Sequence, residues 1–226
     1  MARAASDGDA GPGRIRRVNE VMLLDAAEAV FAEAGFAGAS TAAIAARAGL
    51  PKANLHYYFH TKEAIYRAVL DRILKLWLSA FDPSTAGDDP AEVLEAYIRA
   101  KIRHSQEHPL ASRVFAGELL RGAPVIRGFL SDELRPWVER QADVIRRWIA
   151  EGRMDPVDPL HLLFMIWAAT QTYADFDVQI RVVTGKRRQA VADFEAAADA
   201  IVRIVLKGCG LAGRADRSVE TTQPGY

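Results

Sequence analysis

The chain has one cysteine, Cys209, in 226 residues. That excludes an intramolecular disulfide framework and a Cys-based zinc cluster, and it fits a reducing, cytoplasmic setting. Charge of one sign is also missing. Lys plus Arg (29) balances Asp plus Glu (29), so whole-chain charge selects neither nucleic acid nor a membrane surface as partner. The most apolar run, Leu160–Ala169, is 10 residues long, about half the ~20 needed to cross a bilayer, so no membrane partner is expected. Residues 1–13 (MARAASDGDAGPG) lack the apolar stretch of a signal peptide and read as a disordered tail, as do residues 211–226. Stretches of alternating β-branched residues and internal repeats are absent.

What is present is helical period almost throughout. Val21, Leu24, Ala27, Phe31 and Ala34 recur at steps of three and four, as one buried helix stripe does, and Gly35 stands where a helix C-cap usually sits. Ser40 or Thr41 can cap a short helix through Ala48, which Gly49 breaks. Pro51 suits the first turn of the next helix, Lys52–Phe59. Thr61-Lys62-Glu63 opens a longer one to about Phe81, ~30 Å in length. Asp82–Pro90 reads as a loop, followed by helical stretches at 90–107, 109–121, 131–151, 159–184 and 187–208. The expected fold is all-α: an N-terminal three-helix domain with a helix-turn-helix over 14–61, then a helical ligand-binding and dimerisation bundle over 62–210.

Two short helices around a tight turn at 41–59 have the spacing in which the second helix enters the major groove of DNA. From Ala34 to Lys62 there is no carboxylate, while Arg47, Lys52, His56, His60 and Lys62 fall in that window. A surface facing phosphates needs such a window, because a carboxylate there repels the backbone. Lys52 and Asn54 are placed for base edges, with Asn able to pair two ways with adenine. His56 and Tyr57 suit thymine methyls or phosphate oxygens. Thr41 and Lys62, at helix N-termini, suit phosphates, and Arg14, Arg16 and Arg17 form a basic arm. Spacing alone leaves open that these are solvated faces of a bundle beside a chance turn.

The run FAEAGFAGASTAAIAARAGLPKANLHYYFHTKEAIY closely resembles the DNA-binding domain of TetR-family repressors. The shared pattern includes Phe31, Gly35-Phe36, Thr41, Ile44-Ala45, Ala48-Gly49, Leu55, Tyr58-Phe59 and Lys62-Glu63. Two positions depart from it: Pro51 stands where the family often has a capping Ser, and His56 where a Tyr is frequent. The resemblance implies a homodimer on operator DNA with a ligand sensor in the C-terminal bundle, and no enzyme.

In that bundle LLFMIWAATQTYADF (162–176) is apolar on all faces up to Ala169, so it must be covered on every side, by the core or partly by a second subunit. Trp167 and Gln171, four apart, share one face, and Gln171 and Tyr173 place polar atoms beside the buried stretch. Trp77 is another large aromatic needing cover. An indole beside a primary amide receives a small flat molecule with both donors and acceptors, such as a nucleobase. Taken alone, the residues also allow core Trp side chains and a Gln171 bonded to a backbone carbonyl.

The C-terminal half resembles that of RutR-type members of the family, which respond to uracil and thymine. The resemblance rests on Leu74-x2-Trp77-Leu78, Tyr97-Ile98-Arg99, Pro109-x-Ala111-Ser112-Arg113, Gly122-Ala123-Pro124, Asp158-Pro159-x-His161-Leu162 and FMIWAATQTYADF, and it covers nearly all of 15–208. It implies Trp77, Trp167 and Gln171 as pyrimidine contacts, with Leu74, Leu78 and Tyr173 around them, and no cofactor. A repressor of the same family sensing another small molecule stays open. Dimerisation is expected through the apolar 159–184 helix and a stripe of Val191, Phe194, Ala198, Ile201 and Val205.

Two patterns read as decoys. His104-x-x-Glu107-His108 matches a zinc-peptidase motif but lacks a third ligand and stops at Pro109, so a helix surface is the expected reading over a zinc enzyme. Gly208-x-Gly210-x-x-Gly213 follows a helix rather than a strand, so it is read as a helix stop.

Overall fold

A computed structural model describes residues 12–79, 81 and 88–211, with side chains from Arg16 onward. The expected tails lie outside these residues except at their inner edges. Pro12 and Gly13 already belong to the first helix, and Leu211 is fully buried. The 82–87 part of the expected loop also lies outside them.

All regular structure among the described residues is helical. The elements are α1 (Pro12–Gly38), α2 (Thr41–Arg47), α3 (Lys52–Tyr58), α4 (Lys62–Leu78), α5 (Pro90–Glu107), α6 (Pro109–Leu120) and α7 (Arg127–Phe129). A π-helical turn (Leu130–Leu134) leads into α8 (Arg135–Ala150), followed by α9 (Pro159–Asp175), α10 (Asp177–Thr184) and α11 (Val191–Gly208). The starts of α5 and α9 share one local device, Asp-Pro. Asp89 accepts from the amides of Ala91 and Glu92, and Asp158 from those of Leu160 and His161, with Pro opening each helix. That carboxylate satisfies amides with no intrahelical partner, and Pro lacks the amide that would need one.

Three expected helices differ. The 159–184 helix is two, broken at Phe176, because Asp177 is held by Gln189 and Arg181 and starts a new axis. The 187–208 helix begins only at Val191, where the Ala190 amide donates to Asp193 at 2.8 Å. The 131–151 helix is preceded by α7 and the π turn.

The chain divides into two compact units between Asp71 and Arg72. In the first, Leu23, Ala27, Phe31, Ile44, Leu55, Ile65 and Tyr66 are buried, and Phe31 meets Tyr66 edge-on at 4.7 Å. In the second, α5 packs against α9 and α11 around Leu94, Ile98, Trp148, Leu163, Ile166 and Val202. This core absorbs most of the stripe expected at a dimer interface. Phe194, Ala198, Ile201 and Val205 are buried within the subunit, and only Val191 of that stripe is exposed. Covering α5 requires the apolar face of α11 inside the subunit.

Candidate DNA-facing unit and ligand cavity

In the first unit Ser40, not Thr41, caps α2, its hydroxyl accepting from the Ala43 amide at 3.1 Å, while Thr41 is half-buried at the helix start. Gly49 turns the chain at φ 66°, a conformation that L side chains rarely adopt. Leu55 is fully buried and anchors α3. Helical spacing then leaves Lys52, His56 and Tyr57 exposed and Asn54 half-buried. The Arg16 guanidinium of α1 lies 5.8 Å from the centroid of the Tyr57 ring, which is 67% exposed. Arg17 is exposed, and the Arg14 side chain is not among those described. Arg47 pairs with Glu33 at 2.7 Å.

Lys62 differs from expectation. Its ammonium donates to the carbonyls of Phe36 (2.8 Å) and Ala39 (3.0 Å) and sits 4.6 Å over the Phe36 ring. The charge is engaged at the C-terminal end of α1, where unpaired carbonyls collect.

The second unit contains a cavity of about 230 Å³. α4 contributes Leu74, Trp77 and Leu78, and α9 contributes Trp167 and Gln171. α5 adds Tyr97 and Lys101, and α6 adds Phe115 and Leu119. Trp137 of α8 completes the lining with Leu130 and Leu134 of the π turn. The segment that leads into α7 and that turn is held by a buried carboxylate: Glu118 accepts from the amides of Val125 (2.6 Å) and Ile126 (3.4 Å). The aromatic walls brace one another, with Trp77 edge-on to Phe115 at 4.6 Å and Trp137 6.5 Å from Trp167.

Polar groups in the lining are few. The Trp167 indole N–H donates to the Tyr97 hydroxyl at 2.6 Å, and burial pushes the Tyr97 pKa above the ordinary phenol value. Lys101 is 4% exposed, and its ammonium lies 4.5 Å from the Trp77 ring centroid. Burial pushes its pKa down to about 8, against the pull of Asp175. Asp175 accepts from Ser112 and is itself raised by burial.

Two comparisons place this architecture. The profile of bacterial regulatory proteins of the tetR family matches residues 23–69, and that of the C-terminal region of YcdC-like proteins matches 70–212. The HTH-type transcriptional regulator RutR of Escherichia coli strain K12 is 39% identical over 186 residues, 82% of this chain and 88% of RutR. The chain belongs to the TetR family. It is accordingly a transcriptional regulator, of a family that is not enzymatic. Among solved structures, regulator SCO4942 of Streptomyces coelicolor aligns at TM-score 0.65 and 25% identity, covering 84% of this chain and 98% of SCO4942. AibR, solved with isovaleryl coenzyme A and operator DNA, aligns at TM-score 0.66 and 20% identity, covering 82% of this chain and 97% of AibR.

Set against this TetR-family frame, five of the six residues named from sequence for the ligand line one cavity: Trp77, Trp167, Gln171, Leu74 and Leu78. Tyr173 does not. Its ring packs toward Phe194 at 6.3 Å, and its carbonyl accepts from Gln189, because two residues beyond Gln171 the helix has turned to another face. Sequence reading missed Tyr97, Lys101, Phe115, Leu119, Leu130, Leu134 and Trp137. They come from elements remote in sequence, and only Lys101 carried a signal, a basic residue on the buried face of α5. Among the described residues no group of three His, Cys, Asp or Glu is placed to hold a metal, so His104, Glu107 and His108 gain no third ligand there. No described helix is long and apolar enough to cross a membrane.

Proposed function

We propose that this regulator is a repressor that binds operator DNA as a homodimer and is released by a pyrimidine base, uracil or thymine, in control of pyrimidine catabolism. Arg14, Arg16, Arg17, Thr41, Lys52, Asn54, His56 and Tyr57 are the proposed DNA contacts. Trp77, Trp167 and Gln171 are the proposed ligand contacts, with Leu74 and Leu78 closing the apolar wall. The observation that carries the ligand reading is the Gln171 amide in a largely apolar cavity walled by Trp77 and Trp167, beside the Tyr97 hydroxyl and the Lys101 ammonium. An amide presents a donor and an acceptor together, which matches the –NH–C(=O)– edge of a pyrimidinedione, and buried groups left unpaired discriminate against ligands lacking that edge.

Size supports the same class. A cavity of about 230 Å³ lies below the ~300–1,000 Å³ of drug-sized pockets, so a single ring suits it and coenzyme A does not. Release follows from coupling. α4 carries Leu74, Trp77 and Leu78 of the cavity at one end and Lys62 of the first unit at the other, so it is the proposed lever. Coupling is reciprocal, so operator DNA and uracil should weaken each other by one common factor.

The test is calorimetric titration of the full-length protein with uracil, beside Gln171→Leu. Binding that is lost in the variant supports the reading. Absence of heat from uracil and thymine with the native protein removes it, while leaving the family assignment in place.

A further inference from the structure

Lys101 is a buried charge to which the fold offers the Trp77 ring but no acceptor. Among the described residues its ammonium has no hydrogen-bond acceptor and no ion pair, although it lines the cavity and is 4% exposed. The groups around it come from several elements: the Trp77 ring from α4, His104 from its own helix, and Asp175 from α9. Asp175 is turned to Ser112 of α6 and also feels Arg113, so its charge is shared. A buried ammonium without an acceptor destabilises a fold, and a Met of similar length would be easier to bury. A purely structural role therefore leaves Lys101 without a reason to be charged.

We propose that Lys101 is a specificity-determining residue of the cavity, donating to a carbonyl oxygen of a neutral, planar cyclic amide or imide and so rejecting ligands without that oxygen. The proposal rests on the reading of this cavity as the ligand site and narrows the ligand class. Gln171 then takes the adjacent amide edge. A neutral carbonyl is favoured over an organic carboxylate because Asp175 already offsets part of the Lys101 charge. The Tyr97 hydroxyl accepts from Trp167 and keeps its own O–H as a third donor to the ligand beside Lys101 and Gln171.

A carbonyl accepting from the ammonium stabilises its protonated form. Binding therefore takes up protons above about pH 8, where the free cavity begins to lose that proton, and weakens as pH rises further.

The experiment compares the native protein with Lys101→Met in calorimetry and thermal melting, using uracil, succinimide and toluene as probes. Uracil affinity should fall roughly ten- to hundredfold in the variant, the range for a hydrogen bond to a charged group. Toluene binding should be unchanged and the melting temperature should rise. Titration at pH 8.5 in buffers of different ionisation heat should show proton uptake with the native protein and none with Lys101→Met. Equal carbonyl-probe affinity in both proteins overturns the proposal, as does proton release on binding, which would mean the ligand binds as an anion. If uracil fails but succinimide binds the native protein and not the variant, the pyrimidine reading falls and this one stands. Failure of both carbonyl probes with the native protein overturns both.

Discussion

At the scale of the residue, burial rather than identity decides what each side chain does. His104 looked from sequence like half of a metal motif. It is half-buried on α5, its Nδ1 has no hydrogen-bond partner, and burial together with the Lys101 and His108 charges pushes its pKa down to about 4. The unfolded chain takes a proton at the ordinary His value of ~6.5 while the folded chain resists. Stability should therefore fall as pH drops from about 6.5 toward 4. His104→Leu should flatten that part of the melting-temperature profile, as thermal melts across pH will show.

Trp167 illustrates a different consequence of burial. Its indole satisfies the buried Tyr97 hydroxyl, so Trp167→Ala strands that hydroxyl as well as emptying space. Gln171→Leu is the cleaner probe of ligand contact. Lys101 carried only a faint signal in the sequence for a related reason: in the run IRAKIRHSQEH it is one of several basic residues, set apart by its place on the apolar stripe of α5, and only packing against Trp77 gives that place a meaning.

At the scale of the element, punctuation was legible because it is local chemistry. Ser40, Gly49 and Pro51 mark the ends of α2 and α3 where expected, and Gly35 breaks the helical path of α1 at φ 67°, three residues before its end, since caps and positive φ depend on a few neighbouring residues. The break between α9 and α10 was not legible. Asp177 is held by Gln189, twelve residues on, and no window of apolar periodicity contains that contact.

Lys62 separates element from function most sharply. Its ammonium closes the end of α1. Lys62→Met should therefore lower the melting temperature while leaving the slope of log affinity against log salt on operator DNA unchanged. Lys52→Met should leave stability alone and cost about 1–3 kcal/mol of operator affinity, the loss of one base-edge contact. Melting curves and binding isotherms at several salt concentrations check both expectations.

At the scale of the whole molecule, the question is what covers the apolar surface left over. The face of α9 opposite the core exposes Leu160, Phe164 and Met165, and α10 exposes Val178, Val182 and Val183. On α11, Ile204 is 65% exposed. Met165 and Ile204 line one groove of about 300 Å³ between α9 and α11. Side chains of this kind support a homodimer built on α9 and the outer face of α11, rather than on the stripe expected from sequence. Light scattering at micromolar concentration should give twice the mass of one chain, and Ile204→Glu should return it to a single chain with loss of operator binding. A native protein at the mass of one chain would remove the dimer from the proposed function.

The sequence by itself determined the helical class, the helix-turn-helix with its acid-free stretch, and the Trp167–Gln171 face, because each depends on spacing within a turn or two of helix. Tertiary structure alone decided that α11 buries its stripe within the subunit, that Tyr173 faces away from the cavity, that Lys62 caps a helix, and that Lys101 stands charged beside Trp77. These outcomes depend on which face of one helix meets another, and that is fixed by packing between segments up to a hundred residues apart.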